Sequence, residues 1–288
     1  MDLRTRLDAL YDGFNRPDSA LDPIQIVQRY ERLADREIVG FVAAGLAFGR
    51  VASVMASIEA VCRLLGPDPA RMVRTFDPAR HGAALDGHVH RWIRGRDLVA
   101  LLWILKRMID EHGSIERCLA RGLEPGDEDV AGALERFSTA ARATDLRQVY
   151  GPRVPANPGV CYFFARPSTG SACKRLNLFL RWMVRRDAID PGGWTAIRPS
   201  QLIVPLDTHT IRVGRCLRFT RRATPGWKMA VDITAALRQY NADDPVRYDF
   251  SLCHLSMMGA CGWGTRRGNA RCLLKGFCRP RRNGARGL

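Results

Sequence analysis

Along most of the chain, apolar residues recur at spacings of three and four, which is the period of an amphipathic helix. Residues 36–65 contain two such runs with Gly49 between them, and this pattern predicts two helices joined by a tight link. Sustained alternation of apolar and polar residues is missing, so we expect an all-α fold in which strands are minor or absent. The further helices that the periodicity predicts cover residues 97–108 and 174–186, begin at Asp207, and cover residues 227–240 and 248–258.

The composition narrows the class of protein. Of the 288 residues, 46% are hydrophobic, which is enough for a substantial buried core. No apolar run approaches the roughly 18 residues needed to cross a bilayer, and the opening MDLRTRLDAL lacks the apolar core of a signal peptide. Nine cysteines in such a chain favour thiols that are reduced or bound to metal. We therefore expect a cytoplasmic protein, nucleoid-associated if bacterial, with no membrane partner and no obligate protein partner.

The positive charge of the chain is concentrated in its second half. Residues 1–144 carry 20 basic and 21 acidic side chains, whereas residues 145–288 carry 25 basic and 8 acidic ones. A polyanion is the natural partner of such a segment, and nucleic acid is the common one, the alternative being a solvated basic face. Only four basic residues are lysines. In a chain whose basic residues are nearly all arginine, each lysine either occurs by chance or marks a position where only an amine can serve as the nucleophile.

Two short stretches carry the residue types of a DNA-reactive site. In GSACKRLN, residues 170–177, a glycine turn leads into a helix, presents backbone N–H groups to a phosphate and places Lys174 near it. In LDTHT, residues 206–210, Asp207 precedes a helix. Simpler interpretations stay open, namely a solvated lysine at an ordinary helix start and a carboxylate that caps a helix. The arginines expected on the wet face of the helix after the glycine turn are Arg175, Arg181, Arg185 and Arg186.

Together these stretches resemble the helix-hairpin-helix DNA glycosylases, the endonuclease III-like enzymes. The residues that match the hairpin motif G-x-G-x-K-T-A-N are Gly170, Lys174 and Asn177, and those that match V-D-T-H-V-x-R-V are Asp207, Thr208, His209, Arg212 and Val213. The stretch GSACKRLNLFLRWMVR is more similar still to the glycosylase-like branch DUF2400. Ala172 stands where the motif has its second glycine. The segment between Lys174 and Asp207 is longer than is usual in the superfamily, and it contains an insert, residues 190–200, that we expect to form a lid or pocket wall.

The resemblance implies two helical domains with a helix-hairpin-helix motif and an interdomain DNA-binding cleft. The first domain is a helical barrel over residues 37–197, and the second combines residues 1–36 with residues 198–288. The implied partner is double-stranded DNA, and the residues expected to contact it are Gly170, Ser171, Arg175, Phe48 and Arg50. Phe48 is the candidate wedge that fills the gap left by a flipped nucleotide, with core packing as the alternative, and Trp194 is a candidate for stacking on the extruded base.

The activity implied by the resemblance is excision of a modified or damaged base from DNA by a glycosylase that flips the nucleotide out. Asp207 is expected to stabilise the oxocarbenium character of the sugar, and Lys174 to attack C1′ as a neutral amine, which permits AP lyase nicking. If Lys174 binds only phosphate, a water activated by Asp207 acts and no nick follows. The target is either host DNA damage or a modified base of phage DNA, and the alternative function is a non-catalytic DNA-binding module.

The C-terminal cysteines form an incomplete metal motif. Cys261, Cys272 and Cys278 follow a helix that resembles the one before the iron–sulfur loop of the superfamily, but the remaining ligand position falls near Asn269. Three thiolates do not complete a four-cysteine cluster, so an iron–sulfur cluster, a zinc site and a loop of free cysteines all stay open. The pair His88 and His90 lacks a surrounding metal motif, and we expect both on the surface.

Overall fold

The structure is a computed structural model that describes residues 2–18, 21–258 and 272–278. Its regular structure is almost entirely helical, which confirms the predicted all-α character. The α-helices of the described residues are α1 Leu3–Phe14, α2 Ile24–Val27, α3 Leu33–Leu46, α4 Val51–Leu65, α5 Pro69–Arg74, α6 Pro78–His81, α7 Gly95–His112, α8 Ile115–Ala120, α9 Ala131–Arg142, α10 Arg147–Tyr150, α11 Lys174–Val184, α12 Thr208–Cys216, α13 Trp227–Arg238 and α14 Asp249–Met257.

The remaining elements are short. Two strands, β1 Val89–His90 and β2 Ile93–Arg94, form one antiparallel hairpin, and its two-residue tip contains Arg91 in the left-handed region with φ 57°. The 3₁₀ turns are Gly82–Leu85, Gly159–Phe163, Pro167–Thr169, Pro199–Gln201 and Pro245–Tyr248. Across the described ranges, none of the helices combines the length and the apolar character that crossing a membrane demands.

Helix α3 lies at the centre of the core. Every residue from Glu37 to Leu46 is buried, as expected for a helix that is apolar on nearly all sides. It packs against α2, α4, α5 and α11. Gly45 permits a further close contact, with the 3₁₀ turn Gly159–Phe163, because a Cβ at this position would lie 2.7 Å from the ring Cδ1 of Phe163. The packing of α3 on α11 places the α3–α4 turn at residues 47–50, predicted from Gly49, beside the start of α11.

A second group of helices packs around α14. This helix contacts α12 on one side and α1 on another, and α13 packs against the 3₁₀ turn Pro245–Tyr248. The N-terminal helix is tied to the group because Tyr248 donates a hydrogen bond to Asp8 Oδ1 at 2.7 Å. The first helix therefore packs with the last ones, while the division into residues 37–197 and residues 1–36 with 198–288 stays a prediction.

Buried ion pairs join α11 to this second group. Arg181 donates to Asp249 Oδ2 at 2.8 Å, and Arg185 donates to the Asp244 carboxylate at 3.0 Å. Each of the two arginines is only 3% exposed, so the prediction that they lie on the wet face is wrong. The physical reason is that carboxylate-bearing segments cover the second side of α11 and offset the cost of removing the guanidinium groups from water. Arg186, beyond the end of the helix, is exposed as predicted.

The insert at residues 190–200 packs against the core. Trp194 is 4% exposed, donates its Nε1–H to Glu37 Oε1 at 2.8 Å and meets the Phe179 ring edge-on at 5.2 Å. The prediction that Trp194 stacks on an extruded base is therefore wrong. Burial raises the pKa of Glu37, although the hydrogen bonds that it accepts act in the opposite direction.

Candidate active site

The loop before α11 is fixed by its own hydrogen bonds. Gly170 takes the left-handed conformation with φ 80°, and its carbonyl accepts from Trp227 N at 3.1 Å. The half-buried Ser171 accepts from Cys173 N at 3.2 Å, and Asn177 Nδ2 donates to the Ala172 carbonyl at 3.1 Å. These contacts end the loop at a defined point, so that Lys174 is the first residue of α11.

Asp207 caps α12, as the simpler interpretation of LDTHT predicts. Its Oδ1 accepts from the backbone N–H groups of His209 and Thr210, both at 2.8 Å. Its Oδ2 points away from the helix end and lies 4.0 Å from Lys174 Nζ. The thiol of Cys253 on α14 donates to the same oxygen at 3.4 Å. One carboxylate therefore both caps a helix and faces a lysine.

Lys174 reaches Asp207 across the boundary between the two groups of helices. Its Nζ also donates to the Ala47 carbonyl at the end of α3, at 3.3 Å. The side chain of Lys174 is 34% exposed and that of Asp207 is 18% exposed, so water retains access to the pair. The α3–α4 turn thus positions the amine from one side while Asp207 faces it from the other.

The surroundings of Asp207 favour its ionised form. Burial alone raises the pKa of this carboxyl, but the Lys174 ammonium, the Thr210 N–H and the Cys253 thiol outweigh it, and the pKa lies below the ordinary value. Burial and the carboxylates of Asp207 and Asp249 raise the pKa of Cys253 well above that of a free thiol. Cys253 therefore stays protonated near neutral pH and keeps donating to Asp207.

Lys174 and Asp207 lie in the wall of a cavity of about 390 Å³, a volume within the range of small-molecule sites. The insert at residues 190–200 is not among the residues that line this cavity, so it does not form the predicted pocket wall. The elements that line the cavity are the α3–α4 turn, α4, α11, the N-terminus of α12 and α14, and the apolar lining residues include Ala47, Phe48, Val51, Val54, Leu178, Pro205, Phe250 and Met257.

The cavity wall also contains polar groups that were not predicted from the sequence. Burial raises the pKa of Asp249 to about 6, with the paired Arg181 acting in the opposite direction, and Asp249 accepts from Thr210 Oγ1 at 3.3 Å. Burial lowers the pKa of His254, whose Nε2 lies 3.9 Å from Asp22 Oδ2. Asp249 and His254 lie on α14 outside any motif that the sequence predicted to be functional. They reach the site only because α14 packs against α12.

An aromatic cluster flanks the cavity at the α3–α4 turn. Phe48 is half-buried beneath Trp92, with ring centroids 4.8 Å apart and an interplanar angle of 25°. Tyr162 meets the Phe48 ring edge-on at 5.3 Å, and the Arg175 guanidinium lies 3.2 Å from the centroid of the Tyr162 ring. Arg175 is thus half-buried over an aromatic ring rather than on the wet face, whereas Arg50 before α4 is exposed.

His90 belongs to the base of this cluster. It is 3% exposed, and its ring nitrogens bond to Ser57 Oγ at 2.9 Å and to the Phe48 carbonyl at 3.0 Å. The prediction that His90 lies on the surface is therefore wrong, because the hairpin folds back onto α4. His88, one residue before β1, is half-buried. The sequence did not predict that Trp92 belongs to the site. Its local signal is its position between Arg91 and Arg94 in the stretch HRWIR.

The family model described as Protein of unknown function (DUF2400) matches residues 22–258 of the chain. The chain belongs to this family. The match includes both Lys174 and Asp207 and spans the cavity wall from Asp22 to Met257, so the whole site lies within the DUF2400 region. No curated protein and no solved structure matches the chain.

The predicted metal motif of this DUF2400 chain is only partly described. Cys261 lies outside the described residues. Contact with the Cys278 thiol raises the pKa of Cys272, so these two side chains are neighbours. No group of three metal-ligating side chains occurs in residues 2–18, 21–258 and 272–278. The cysteine of α14, Cys253, does not join Cys272 and Cys278, because its thiol donates to Asp207. The iron–sulfur cluster stays a prediction.

Proposed function

We propose that this DUF2400 protein is a DNA glycosylase, related to the helix-hairpin-helix superfamily, that excises a modified or damaged base from DNA. The observation that carries the proposal is the pair of Lys174 Nζ and Asp207 Oδ2, 4.0 Å apart in the wall of a 390 Å³ cavity. These are the two residues to which the resemblance assigns catalysis. A nucleobase is a small, flat ligand, and a mainly apolar cavity of this size with a few polar groups in its wall suits it.

Asp207 is the group that stabilises the transition state in this proposal. As the C1′–N bond breaks, its electron pair leaves with the base and positive charge develops on the sugar. A carboxylate that is ionised at neutral pH lowers the energy of that charge, as in glycoside hydrolysis. The lowered pKa of Asp207 supports this role, because the residue needs no proton loss before it acts.

Lys174 supplies the second function. Nζ first releases its ammonium proton to water, and the neutral amine then forms a bond to C1′ as the bond to the base breaks. The proton that the new C1′–N group loses passes to the departing base, and protonation of the ring oxygen by water opens the sugar ring and yields a Schiff base. β-Elimination then breaks the bond to the 3′ phosphate and nicks the strand. If Lys174 instead acts as a cation, a water molecule adds to C1′, its proton passes to Asp207, and the product is an abasic site without a nick.

The DNA contacts proposed from the resemblance surround this pair. The glycine loop with Gly170 and Ser171 and the free N–H groups at the start of α11 form the hairpin that binds a backbone phosphate. Arg50, exposed at the end of the α3–α4 turn, and Arg175, beside the aromatic cluster, add positive charge to the elements around the pair. The excess of 25 basic over 8 acidic residues in the second half of the chain supports double-stranded DNA as the partner.

Release of free bases from natural DNA tests the activity and identifies the target. The protein is incubated with bacterial genomic DNA and with phage DNA that contains modified bases, and the released bases are measured by mass spectrometry. We expect a discrete base from one of the two sources, which separates a repair function from phage defence. DNA binding without release of any base from either source would overturn the proposal in favour of a non-catalytic module.

A further inference from the structure

The hairpin formed by β1 and β2 presents a large aromatic side chain to solvent. Trp92 at its tip is 56% exposed. The indole stacks on Phe48 at 4.8 Å and meets the Tyr162 ring edge-on at 5.0 Å. Phe48 therefore supports one face of the indole, while more than half of the side chain stays open. A tryptophan held in this way costs a ligand little additional ordering.

The hairpin tip is tied to the cavity wall. The two ring nitrogens of His90 bond to α4 through Ser57 Oγ and to the α3–α4 turn through the Phe48 carbonyl. Arg91 Nε lies 3.1 Å from the position that a Cβ on Gly49 would occupy, so a side chain at that turn would crowd the guanidinium. Phe48 also lines the cavity, which leaves Trp92 one ring layer away from it.

The charge around Trp92 identifies the kind of ligand. Arg91 and Arg94 of the hairpin are exposed, as is Arg50 on the neighbouring turn. The Arg175 guanidinium lies 5.8 Å from the centroid of the Phe48 ring on which Trp92 stacks. An exposed aromatic ring surrounded by arginines suits a partner with flat rings and a polyanionic backbone, which is the chemistry of unstacked nucleic acid.

We infer that Trp92 is a nucleobase-stacking site that takes the base left unpaired when its partner nucleotide enters the cavity. This inference rests on the proposed function, because it requires a nucleotide to leave the duplex. Stacking of the orphaned base on a fixed indole compensates for the contacts that the base loses, and it keeps the gap open while the flipped nucleotide occupies the cavity. Phe48, the wedge predicted from the sequence, is then the support of the indole.

Duplexes that already contain the gap test the inference without any catalysis. Binding is measured to an intact duplex and to one with a tetrahydrofuran abasic analogue opposite 2-aminopurine, whose fluorescence reports stacking. For the wild type we expect tighter binding to the gapped duplex and quenching of 2-aminopurine. Trp92→Ala is expected to weaken binding to the gapped duplex by roughly 5- to 150-fold, the range for loss of one stacked base. The quenching is lost with it, whereas binding to the intact duplex changes little.

Three further variants separate stacking from folding. Trp92→Leu keeps apolar bulk against Phe48 but has no aromatic face, and we expect it to behave like the alanine variant. Trp92→Phe keeps an aromatic face and is expected to retain most of the preference for the gap. Val89→Ala removes an apolar side chain that is 53% exposed on the same hairpin and is expected to bind like the wild type. Matching thermal unfolding midpoints for the four variants show that the hairpin is intact.

The outcomes distinguish this inference from the proposed function. If Trp92→Leu binds the gapped duplex and quenches its 2-aminopurine fluorescence as the wild type does, the stacking site is overturned even when base release is observed. If no base is ever released but the preference for the gap depends on an aromatic residue at position 92, the stacking site stands and the glycosylase proposal fails.

Discussion

The thiol of Cys253 donates to Asp207 Oδ2 at 3.4 Å, on the same oxygen that lies 4.0 Å from Lys174 Nζ. The two oxygens of Asp207 are thereby divided between two tasks. Oδ1 is occupied by the N–H groups at the start of α12, and Oδ2 faces the cavity with two side-chain donors beside it. Because the thiol stays protonated at neutral pH, Cys253 acts on the carboxylate as a hydrogen-bond donor and not as a nucleophile.

Replacement of Cys253 by alanine is expected to shift the acid limb of the pH profile of the base-release rate. In the proposed mechanism ionised Asp207 is the active form, so base release is expected to decline as the pH falls through the pKa of Asp207, which is lowered in the wild type. Loss of the thiol donor removes one cause of that lowering, the pKa rises, and the limb moves to higher pH. Cys253→Ser keeps a donor and is expected to retain the wild-type profile. Single-turnover rates of base release across acidic pH measure this effect, and an identical limb in Cys253→Ala contradicts the assigned contact.

Asp207→Asn is expected to abolish base release while leaving DNA binding largely intact. In the proposed mechanism the carboxylate stabilises charge that exists only in the transition state, and the loss of such a group slows a reaction by about 100-fold or more. Asparagine caps a helix as well as aspartate does, so little stability is lost. The matched control is Asp77→Asn, since Asp77 caps α6 at an exposed site by accepting from two backbone N–H groups. Equal turnover of the Asp207 variant and the wild type would leave Asp207 as a cap only.

Borohydride trapping decides the role of Lys174. Arginine keeps the positive charge but forms no Schiff base. We therefore expect reduction to link the wild-type protein to substrate DNA and to leave Lys174→Arg unlinked. Lys228→Arg, an exposed lysine on α13, is the control and is expected to trap normally.

Each other outcome of the trapping experiment has a definite meaning. If Lys174→Arg still releases base without nicking, the lysine acts only in the lyase step and water breaks the glycosidic bond. If the wild type releases base but never traps, the enzyme is monofunctional and works through Asp207 and water. Equal trapping of both proteins assigns the nucleophile to another amine and contradicts the alignment of the GSACKRLN motif.

DNA binding is expected to weaken steeply as salt is added. The second half of the chain carries a large excess of basic residues, and each phosphate that it neutralises releases counterions. The logarithm of the affinity should fall with the logarithm of the salt concentration, with a slope of about −0.9 per phosphate contact. Affinities measured by fluorescence anisotropy over a range of salt concentrations give this slope. A flat dependence would exclude the DNA backbone as the main contact.

The sequence by itself located seven of the fourteen described α-helices and selected the two principal residues of the candidate site. The period of the apolar residues located α3, α4, α7 and α11 to α14, because helix formation depends mainly on neighbours three and four positions apart. The cap at Asp207 and the left-handed turn at Gly170 are likewise local. Lys174 and Asp207 were selected because two short motifs resemble those of the helix-hairpin-helix glycosylases, and each motif is contained in a few residues.

Only the tertiary structure decided what surrounds these two residues. Periodicity identifies the apolar face of α11 but not whether its second face is covered. The carboxylates of Asp244 and Asp249, distant in the sequence, and those of the nearby Asp187 and Asp190 pair with the buried Arg181 and Arg185. The same holds for Cys253, whose thiol meets Asp207 because α14 packs on α12. Trp92 reaches the site only because the hairpin folds onto the α3–α4 turn. Contacts between elements far apart in the chain depend on packing, and no local pattern of residues encodes them.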